Sequence, residues 1–387
     1  MKPIPYGRHS VSEEDVEAVA GVLRSDWLTQ GPAVERFEQA VARYCGAPQA
    51  TAFCNGTAAL YVAYRALGLG RGDLLWTSPI TFAATANAAL LGGADVDFVD
   101  IDPGSCNLSV AALEGKLSDA ARKGRLPKIV VPVHFAGQPC DMARIAALAA
   151  RYKFRVVEDA AHALGARLGD AAVGDCAHSD AAMFSFHPVK SITTGEGGMI
   201  MTRSRELHEQ LQLLRSHGIT RDPARMAGAP HGAWHQQQIE LGLNFRLTDI
   251  QAALGASQMK RLDAFVGRRR ELADRYDWIL GGLPLVLPAR QPDSQSAWHL
   301  YVVRIDATRT RATRKQVFDA LRAAGIRVQV HYLPVHLHPY YERLGFRRGA
   351  FPLAEAYYEG ALSLPLYPAL DAADQDRVAE ALRDALR

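Results

Sequence analysis

Apolar strands alternate with helical segments at intervals of roughly 25–35 residues through the first half of the chain. The predicted strands span residues 50–54, 74–78, 96–99, 129–134, 155–159 and 180–186. This alternation predicts βαβ units and a mostly parallel sheet. Ligands of such sheets bind at the carboxyl ends of the strands. We therefore expect one site among the residues at those ends, which are Asn55, Phe82, Phe135, Asp159 and Lys190.

The segment 184–198 contains a lysine between an apolar strand and a run of small and glycine residues. Pro188 ends the strand, because it lacks an N–H and holds its predecessor extended. Lys190 therefore falls in a loop, between Val189 and Ile192. A partly desolvated lysine has a lowered pKa and can form a Schiff base with an aldehyde. A solvated surface charge is the ordinary alternative, and the local sequence leaves both open.

Two further strand ends carry features of a binding site. Asn55, Gly56 and Thr57 form a turn into a helix, where free N–H groups and the helix dipole favour an anion. An ordinary helix cap is the alternative there. Phe82 follows the next strand and would either pack in the core or cover a flat ligand.

The composition excludes several functional classes. The net charge of +3, from 44 basic and 41 acidic residues, is too balanced for a nucleic-acid-binding surface. The run Arg268–Arg270 is predicted to lie on a solvated helix face. No GxGxxG motif opens a βαβ unit, which argues against a nicotinamide enzyme. The histidines at 331, 336 and 338 are too loosely spaced for a zinc motif, so we expect no metal.

The five cysteines indicate the compartment. They are odd in number and none has CxxC spacing, which favours free thiols in a reducing cytoplasm. No apolar run approaches the length of a membrane span, and no membrane partner is expected.

The length predicts two domains, with three as the alternative, and we place the division after residue 248. The large domain would comprise residues 1–248 and the small C-terminal α/β domain residues 249–387. In the second part we predict one long helix over 249–280, strands at 298–305 and 328–332, and a helix at 314–323.

Several motifs occur here in a specific order: Asn55–Leu60, Glu158–His162, Phe184–His187 with Lys190, Gly195–Gly198, and Asn244–Arg246 ahead of Ile250–Ala253. With them the chain resembles, nearly end to end, the sugar aminotransferases of DegT/DnrJ/EryC1/StrS type that use pyridoxal 5'-phosphate (PLP). The resemblance implies the aspartate-aminotransferase fold (fold-type I): a large domain with a mostly parallel seven-stranded sheet and a smaller C-terminal domain.

The resemblance also implies roles for individual residues. Lys190 would be the catalytic residue and carry PLP as a Schiff base, while Asp159 would pair with the pyridine nitrogen. The other implied cofactor-binding residues are Gly56, Thr57, Ala58, Phe82, His162, Ser185 and Asn244. The implied substrate-binding residues are Tyr6, Asp26, Trp27, Leu28, Thr29, Arg246, His331, Tyr332, Leu333 and Pro334. Asn244 would reach the phosphate of the neighbouring subunit, which implies a homodimer with shared active sites. Dehydratases of this family have histidine in place of the lysine, so Lys190 favours transamination.

A finer resemblance, within this family, is to the UDP-4-amino-4,6-dideoxy-N-acetyl-beta-L-altrosamine transaminases of pseudaminic acid biosynthesis. It rests on Leu28–Gly31, Ser216–Ile219, and Val330–Tyr332 with Pro334. It implies transfer of an amino group from L-glutamate to a UDP-linked 4-keto-6-deoxy-N-acetylhexosamine. Transaminases of perosamine, 4-amino-arabinose or bacillosamine type share the core motifs and are the alternative. A non-enzymatic regulator is a third possibility, against which the balanced charge counts.

Overall fold

The computed structural model describes residues 2–387, and its centre is a seven-stranded sheet in the order β1-β9-β8-β5-β4-β2-β3. β9 runs antiparallel to both of its neighbours, and the other pairings are parallel. The predicted α/β class with a mostly parallel sheet is therefore confirmed. The strands are β1 (Gln49–Phe53), β2 (Leu74–Thr77), β3 (Asp95–Phe98), β4 (Ile129–Val131), β5 (Arg155–Asp159), β6 (Arg167–Leu168), β7 (Ala171–Ala172), β8 (Ala181–Ser185), β9 (Gly198–Thr202), β10 (Ile219–Thr220), β11 (Gln237–Gln238), β12 (Leu285–Val286), β13 (Ser294–Gln295), β14 (Tyr301–Ile305) and β15 (Ala361–Leu364).

Helices cover both faces of this sheet and build the C-terminal part. They are α1 (Glu13–Leu23), α2 (Pro32–Cys45), α3 (Gly56–Ala66), α4 (Ala84–Leu91), α5 (Val110–Arg122), α6 (Met142–Tyr152), α7 (Arg205–Arg215), α8 (Asp249–Met259), α9 (Leu262–Leu280), α10 (Arg314–Ala323), α11 (Pro339–Arg343), α12 (Pro352–Gly360) and α13 (Ala372–Ala385). None of the helices in residues 2–387 is both long and apolar enough to cross a membrane.

Helix α6 shows how local chemistry sets these elements. The Asp141 carboxylate caps its first turn by accepting from the Arg144 N–H, and the chain leaves the helix at Lys153 in the left-handed conformation. Ile145 and Leu148 repeat at helical spacing and are buried against the sheet. Strand-to-helix alternation of this kind places each strand's carboxyl end at one edge of the sheet.

The single helix predicted over residues 249–280 is wrong, because the chain forms α8 and α9 with a break at Lys260 and Arg261. Arg261 leaves helical geometry and turns its guanidinium to the buried carboxylate of Asp15 in α1. A contact with another helix therefore decides the break. The strand predicted at 328–332 is also wrong, since Gln329 forms only an isolated bridge to Ser363.

The solvated face predicted for Arg268–Arg270 is wrong as well. Arg269 is only 2% exposed, and its guanidinium donates to backbone carbonyls of distant segments. Arg270 is also partly buried and donates to the carbonyl of Ser296. A run of charged residues is solvated only when no buried hydrogen-bond acceptors face it. Here the acceptors are backbone carbonyls of distant parts of the chain, which the local sequence does not reveal.

The C-terminal part has its own antiparallel sheet, in the order β12-β14-β15, with a separate hydrophobic core. The N-terminal arm joins this core through Ile4, whose N–H donates to Gly325 and whose carbonyl accepts from Arg327. Helix α8 packs against α1 and α2 beside the large sheet. The domain division after residue 248 stays a prediction.

Candidate active site

A cavity of about 810 Å³ opens at the carboxyl ends of β2, β5 and β8. The N-terminus of α3 forms one side, and residues 331 and 332 from the C-terminal part form another. The residues lining it that bear on its chemistry are Tyr6, Gly56, Thr57, Ala58, Phe82, Thr85, Asp159, His162, Ser185, Lys190, His299, His331 and Tyr332. The strand ends singled out by the sequence therefore meet at one place, with the exception of Phe135, which is buried in the core.

Lys190 lies in the loop that follows β8, where its backbone N–H donates to the carbonyl of His187 at 2.9 Å. Its side chain is partly buried and faces the cavity. This burial lowers the pKa of Lys190 to about 8, while the nearby Asp159 opposes the shift. The amine is therefore partly neutral, and nucleophilic, near physiological pH.

Asp159, at the end of β5, is buried and held by two donors. Oδ2 accepts from Thr85 Oγ1 at 2.6 Å, and Oδ1 accepts from the Ala161 N–H at 3.1 Å. Thr81 Oγ1 lies 2.8 Å from Thr85 Oγ1. Because the single hydroxyl proton of Thr85 points to Asp159, Thr81 donates to Thr85. The carboxylate is thus fixed in one orientation before any ligand binds.

The N-terminus of α3 is a cradle for an anion. Asn55 caps it, with its side-chain oxygen accepting from the Ala58 N–H at 2.8 Å, which leaves the N–H groups of Gly56 and Thr57 for a ligand. A Cβ at Gly198 would lie 2.6 Å from the Asn55 carbonyl oxygen, so the close approach of β9 to this turn requires glycine.

Two aromatic rings and two imidazoles form the remaining walls. Phe82 is 63% exposed, although a core residue was one reading of its sequence position. His162 Nδ1 accepts from the Ala136 N–H at 3.3 Å, and its Nε2 lies 3.2 Å from the Tyr332 hydroxyl. Burial first, and then the charge of Lys190, holds the pKa of His162 well below its usual value. His331 is bound to Ser363 Oγ at 2.7 Å, and burial lowers its pKa to about 4.

The sequence model of the DegT/DnrJ/EryC1/StrS aminotransferase family matches residues 9–383. The chain belongs to this family. It is thus a PLP-dependent sugar aminotransferase of fold-type I, as the motifs around Lys190 imply.

Relatives of known name cover almost the whole length of this aminotransferase. The spore coat polysaccharide biosynthesis protein SpsC of Bacillus subtilis is 39% identical over 99% of this chain and 97% of its own. Helicobacter pylori PseC, an aminotransferase involved in the biosynthesis of pseudoaminic acid, is 31% identical with a TM-score of 0.91, over 100% of this chain and 99% of its own. The sugar aminotransferase Spr1654 of Streptococcus pneumoniae, in its PLP form, is 27% identical with a TM-score of 0.89, over 99% and 98%.

The residues of the cavity fit PLP. The cradle at Gly56 and Thr57, with the hydroxyl of Ser185 beside it, suits a phosphate. Asp159 supplies a buried carboxylate for a pyridinium, and Phe82 offers an uncovered ring face for a planar ligand. Lys190 provides an amine with a lowered pKa for the aldehyde. The phosphate, the pyridine nitrogen, the ring face and the aldehyde of the cofactor thus each have a matching group in this aminotransferase.

The cavity contains some of the residues that the sequence assigned to the site and omits others. Those present are Lys190, Gly56, Thr57, Ala58, Phe82, Asp159, His162, Ser185, Tyr6, His331 and Tyr332. Those that do not line it are Asn244, Asp26, Trp27, Leu28, Thr29, Arg246, Leu333 and Pro334. Arg246 instead lines a separate polar cavity of about 590 Å³, beside Glu38 and Arg215. Pro334 is buried, and the next N–H, of Val335, donates to the carbonyl of Pro79.

Sequence reasoning missed two groups of the site. Thr85 was taken only as part of an alanine-rich helix, although Thr81, in the turn that precedes α4, brings a second hydroxyl within 2.8 Å of it. His299 was taken only as part of an apolar strand, yet it reaches the cavity and its ring contacts that of His162 at a centroid distance of 4.3 Å. In the sequence, the signal for His299 was a single polar residue within an otherwise apolar run.

Proposed function

We propose that this aminotransferase transfers the amino group of L-glutamate to C4 of a UDP-linked 4-keto-6-deoxy-N-acetylhexosamine, as in pseudaminic acid biosynthesis. The acceptor is UDP-2-acetamido-2,6-dideoxy-beta-L-arabino-hex-4-ulose. The likeness to H. pylori PseC over the full length of both chains carries this proposal. The segment that contains His331 and Tyr332, part of the finer resemblance, lines the Lys190 cavity and supports it.

Different residues of the cavity would have different roles in a transamination. Bound PLP supplies an electron sink that labilises the Cα–H bond of an amino acid. Lys190 is the base for moving that proton, because its lowered pKa lets Nζ both accept and release a proton near neutral pH. Asp159, held by Thr85 and the Ala161 N–H, offers a fixed negative charge at one end of the cavity.

His162 and Tyr332 form a neutral hydrogen-bonding pair beside Lys190. Since Nδ1 of His162 accepts a backbone N–H, its own proton is on Nε2 and points to the Tyr332 oxygen. The Tyr332 hydroxyl proton is then free to be donated to a ligand. Burial raises the pKa of Tyr332, which keeps that proton in place.

We further propose a homodimer in which each subunit completes the site of the other. The predicted site residues that do not line the cavity support this proposal, because several of them lie on one surface. Thr29 pairs with Thr248, and the Leu28 carbonyl accepts from the Asp249 N–H, so the loop from Asp26 lies against the segment that carries Asn244 and Arg246. Asn244 and the loop 26–29 are exposed in the single chain. A partner's cavity is the occupant we assign to this surface.

The spore coat relative favours a second candidate. SpsC has the higher identity to this chain and is described by its part in polysaccharide biosynthesis. The alternative is therefore another nucleotide-sugar aminotransferase, of perosamine, 4-amino-arabinose or bacillosamine type. For both candidates we propose a cytoplasmic location, which the five free cysteines support.

A panel of 4-keto nucleotide sugars, each incubated with L-glutamate, tests the proposal. We expect the UDP-linked L-arabino-hex-4-ulose to give the 4-amino sugar with the highest kcat/KM, identified by mass spectrometry and NMR. The Lys190→Ala protein serves as the control for non-enzymatic amination. A higher kcat/KM for any other acceptor, with this one poorly used, would refute the assignment and favour the second candidate.

A further inference from the structure

Arg269 of α9 is a buried cation that has no carboxylate partner among residues 2–387. Its Nη1 lies within hydrogen-bond distance of three backbone carbonyls, those of Trp298 at 3.2 Å, His299 at 3.3 Å and Leu366 at 2.9 Å, which share its two N–H groups. Burial lowers the pKa of the guanidinium to about 10. Burying a charge without a counter-charge is unfavourable, and an apolar side chain of similar length would fill the space without that cost. The burial of this charge therefore indicates that Arg269 has a role other than packing.

The three carbonyls belong to segments that reach the active-site cavity. His299 lines the cavity itself. The N–H of Leu366 donates to the carbonyl of Tyr6 at 3.0 Å, and Tyr6 lines the cavity from the N-terminal arm. Trp298 has a φ of +47°, a region that residues other than glycine rarely adopt, so this segment needs support from outside.

The backbone of residues 298 and 299 is also held from the opposite side. A Cβ at Gly137 would lie 2.8 Å from the Trp298 nitrogen and 3.1 Å from the His299 nitrogen, so the two backbones are in direct contact. The Ala297 N–H donates to the Gly137 carbonyl at 3.1 Å. His299 is thus clamped between the 136–137 turn and Arg269.

The position of the His299 ring constrains the position of the His162 ring. The two rings are in tilted contact, with a centroid distance of 4.3 Å and an interplanar angle of 36°, and Nδ1 of His299 is buried without a partner among residues 2–387. His162 in turn is bonded to Ala136 and Tyr332. A shift of the His299 backbone would therefore move the imidazole that orients the Tyr332 hydroxyl.

We propose that Arg269 is a positioning residue for the aminotransferase reaction: by binding the three carbonyls it fixes His299, and through the ring contact His162, in the Lys190 cavity. It acts through these residues and touches no ligand itself. The inference rests on the aminotransferase activity and is independent of which sugar is the acceptor.

The charge of Arg269 has a second effect that can be measured without catalysis. Burial, and then the facing groups His162, Lys190, Arg269 and His331, hold the pKa of His299 well below its usual value. Removing the guanidinium removes one positive neighbour, and the pKa of His299 is then expected to rise. Since looser packing would also raise this pKa by admitting water, the charge-retaining Arg269→Lys variant separates the two causes.

Three variants test the proposal. Arg269→Met removes the bonds and the charge, whereas Arg269→Lys keeps the charge on a shorter side chain whose ammonium does not reach the position of Nη1. Arg270→Met is the matched control, because Arg270 is the next residue of α9 and donates to the carbonyls of Ser296 and Gly165, neither of which lines the cavity. The readouts are kcat/KM for the glutamate half-reaction, urea unfolding, and NMR of nitrogen-15-labelled histidine in the PLP-free protein.

We expect Arg269→Met to lower kcat/KM per folded molecule on the order of 10²-fold, as a misplaced active-site group would. The His162 and His299 nitrogen resonances should shift, with His299 titrating at a higher pH than in the wild type. Arg269→Lys should be intermediate in rate and keep His299 neutral. Arg270→Met should retain the wild-type kcat/KM and histidine spectrum.

Wild-type kcat/KM and resonances in Arg269→Met would overturn the proposal, as would an equal loss in Arg270→Met. If Arg269→Met does not fold, Arg269→Lys decides: wild-type kinetics in that variant refute the positioning role, and a reduced rate at normal unfolding free energy supports it. Failure of the sugar assignment is separable, because it would leave the glutamate half-reaction intact while no amino sugar forms.

Discussion

The Thr85 hydroxyl donates a 2.6 Å hydrogen bond to Oδ2 of Asp159, and Thr81 supports Thr85 from the turn that precedes α4. This bond joins the first turn of α4 to the carboxylate at the end of β5. It presets the direction of the carboxylate that we propose pairs with the pyridinium of PLP. Aspartate alone, free to rotate, would have to be oriented when the cofactor binds.

Thr85→Val is expected to lower the affinity for PLP and kcat by several-fold each, because the isosteric methyl leaves Oδ2 of the buried Asp159 without its donor. Thr85→Ser keeps the hydroxyl and should retain most of both. PLP titration followed by absorbance, with unfolding as a check on stability, measures the difference. Equal losses in the two variants would show that the methyl group, and not the hydrogen bond, matters.

Asp159→Asn keeps the shape of the side chain but removes its charge. We expect the rate to fall by about 10²-fold or more, since an uncompensated buried pyridinium costs several kcal/mol. Stopped-flow measurement of the glutamate half-reaction gives the rate of the chemical steps. Near-normal kinetics in this variant would show that Asp159 has only a structural role at the end of its strand.

Lys190→Ala is expected to abolish turnover while the fold is retained, because the lysine both anchors the cofactor and moves the proton. Borohydride should fix PLP covalently to the wild-type protein at Lys190 alone, as read by peptide mass spectrometry. Lys190→Arg, which keeps the charge, serves as the control and should remain unlabelled. Labelling of another lysine in the Lys190→Ala protein would contradict the assignment.

The pH dependence of stability should reveal the lowered pKa of Lys190. Its pKa is about 8 in the folded protein and 10.5 in an exposed lysine, so the unfolded chain binds more protons between these values. The contribution of Lys190 to the unfolding free energy therefore rises with pH across this window. In PLP-free protein, Lys190→Met should stabilise the fold at pH 7, and this gain should shrink towards pH 10. Lys123→Met, at an exposed position after α5, should show no such trend.

Asn244 is predicted to serve the active site of the partner subunit. Lys190→Ala and Asn244→Ala proteins, each inactive or weak, would be dissociated and mixed. If the two residues act on one site from different chains, a mixed dimer has both lesions in one site and an intact second site. Activity should then recover towards half of the wild-type value for that species.

The same mixing experiment has a clear opposite outcome. If Asn244 works within its own chain, every site of the mixed dimer has one lesion and activity stays at the level of the single variants. A fully active monomer in analytical ultracentrifugation would also exclude shared sites. The control mixes Lys190→Ala with Asp159→Asn, two residues of one cavity, for which no recovery is expected.

Local chemistry and periodicity were enough to predict the parallel sheet and much of its site. Asp159 and Lys190 are next to strand ends, and the carboxyl ends of parallel strands meet at one edge. Pro188 and the glycines of 195–198 mark the loop of Lys190 within a few residues. These signals are encoded in neighbouring residues, so no knowledge of distant contacts was needed.

Distant contacts decided the rest. Arg269 is part of a charge run, and only the carbonyls of residues 298, 299 and 366, brought to it by folding, make it a buried residue. His299 reaches the cavity because the 136–137 turn and α9 hold its backbone from two sides. Periodicity reports which face of an element is apolar, but it contains no information about which distant polar group will lie opposite. The site residues at the strand ends could therefore be predicted from the sequence. The groups that hold them in place could not, because only the tertiary structure brings those groups together.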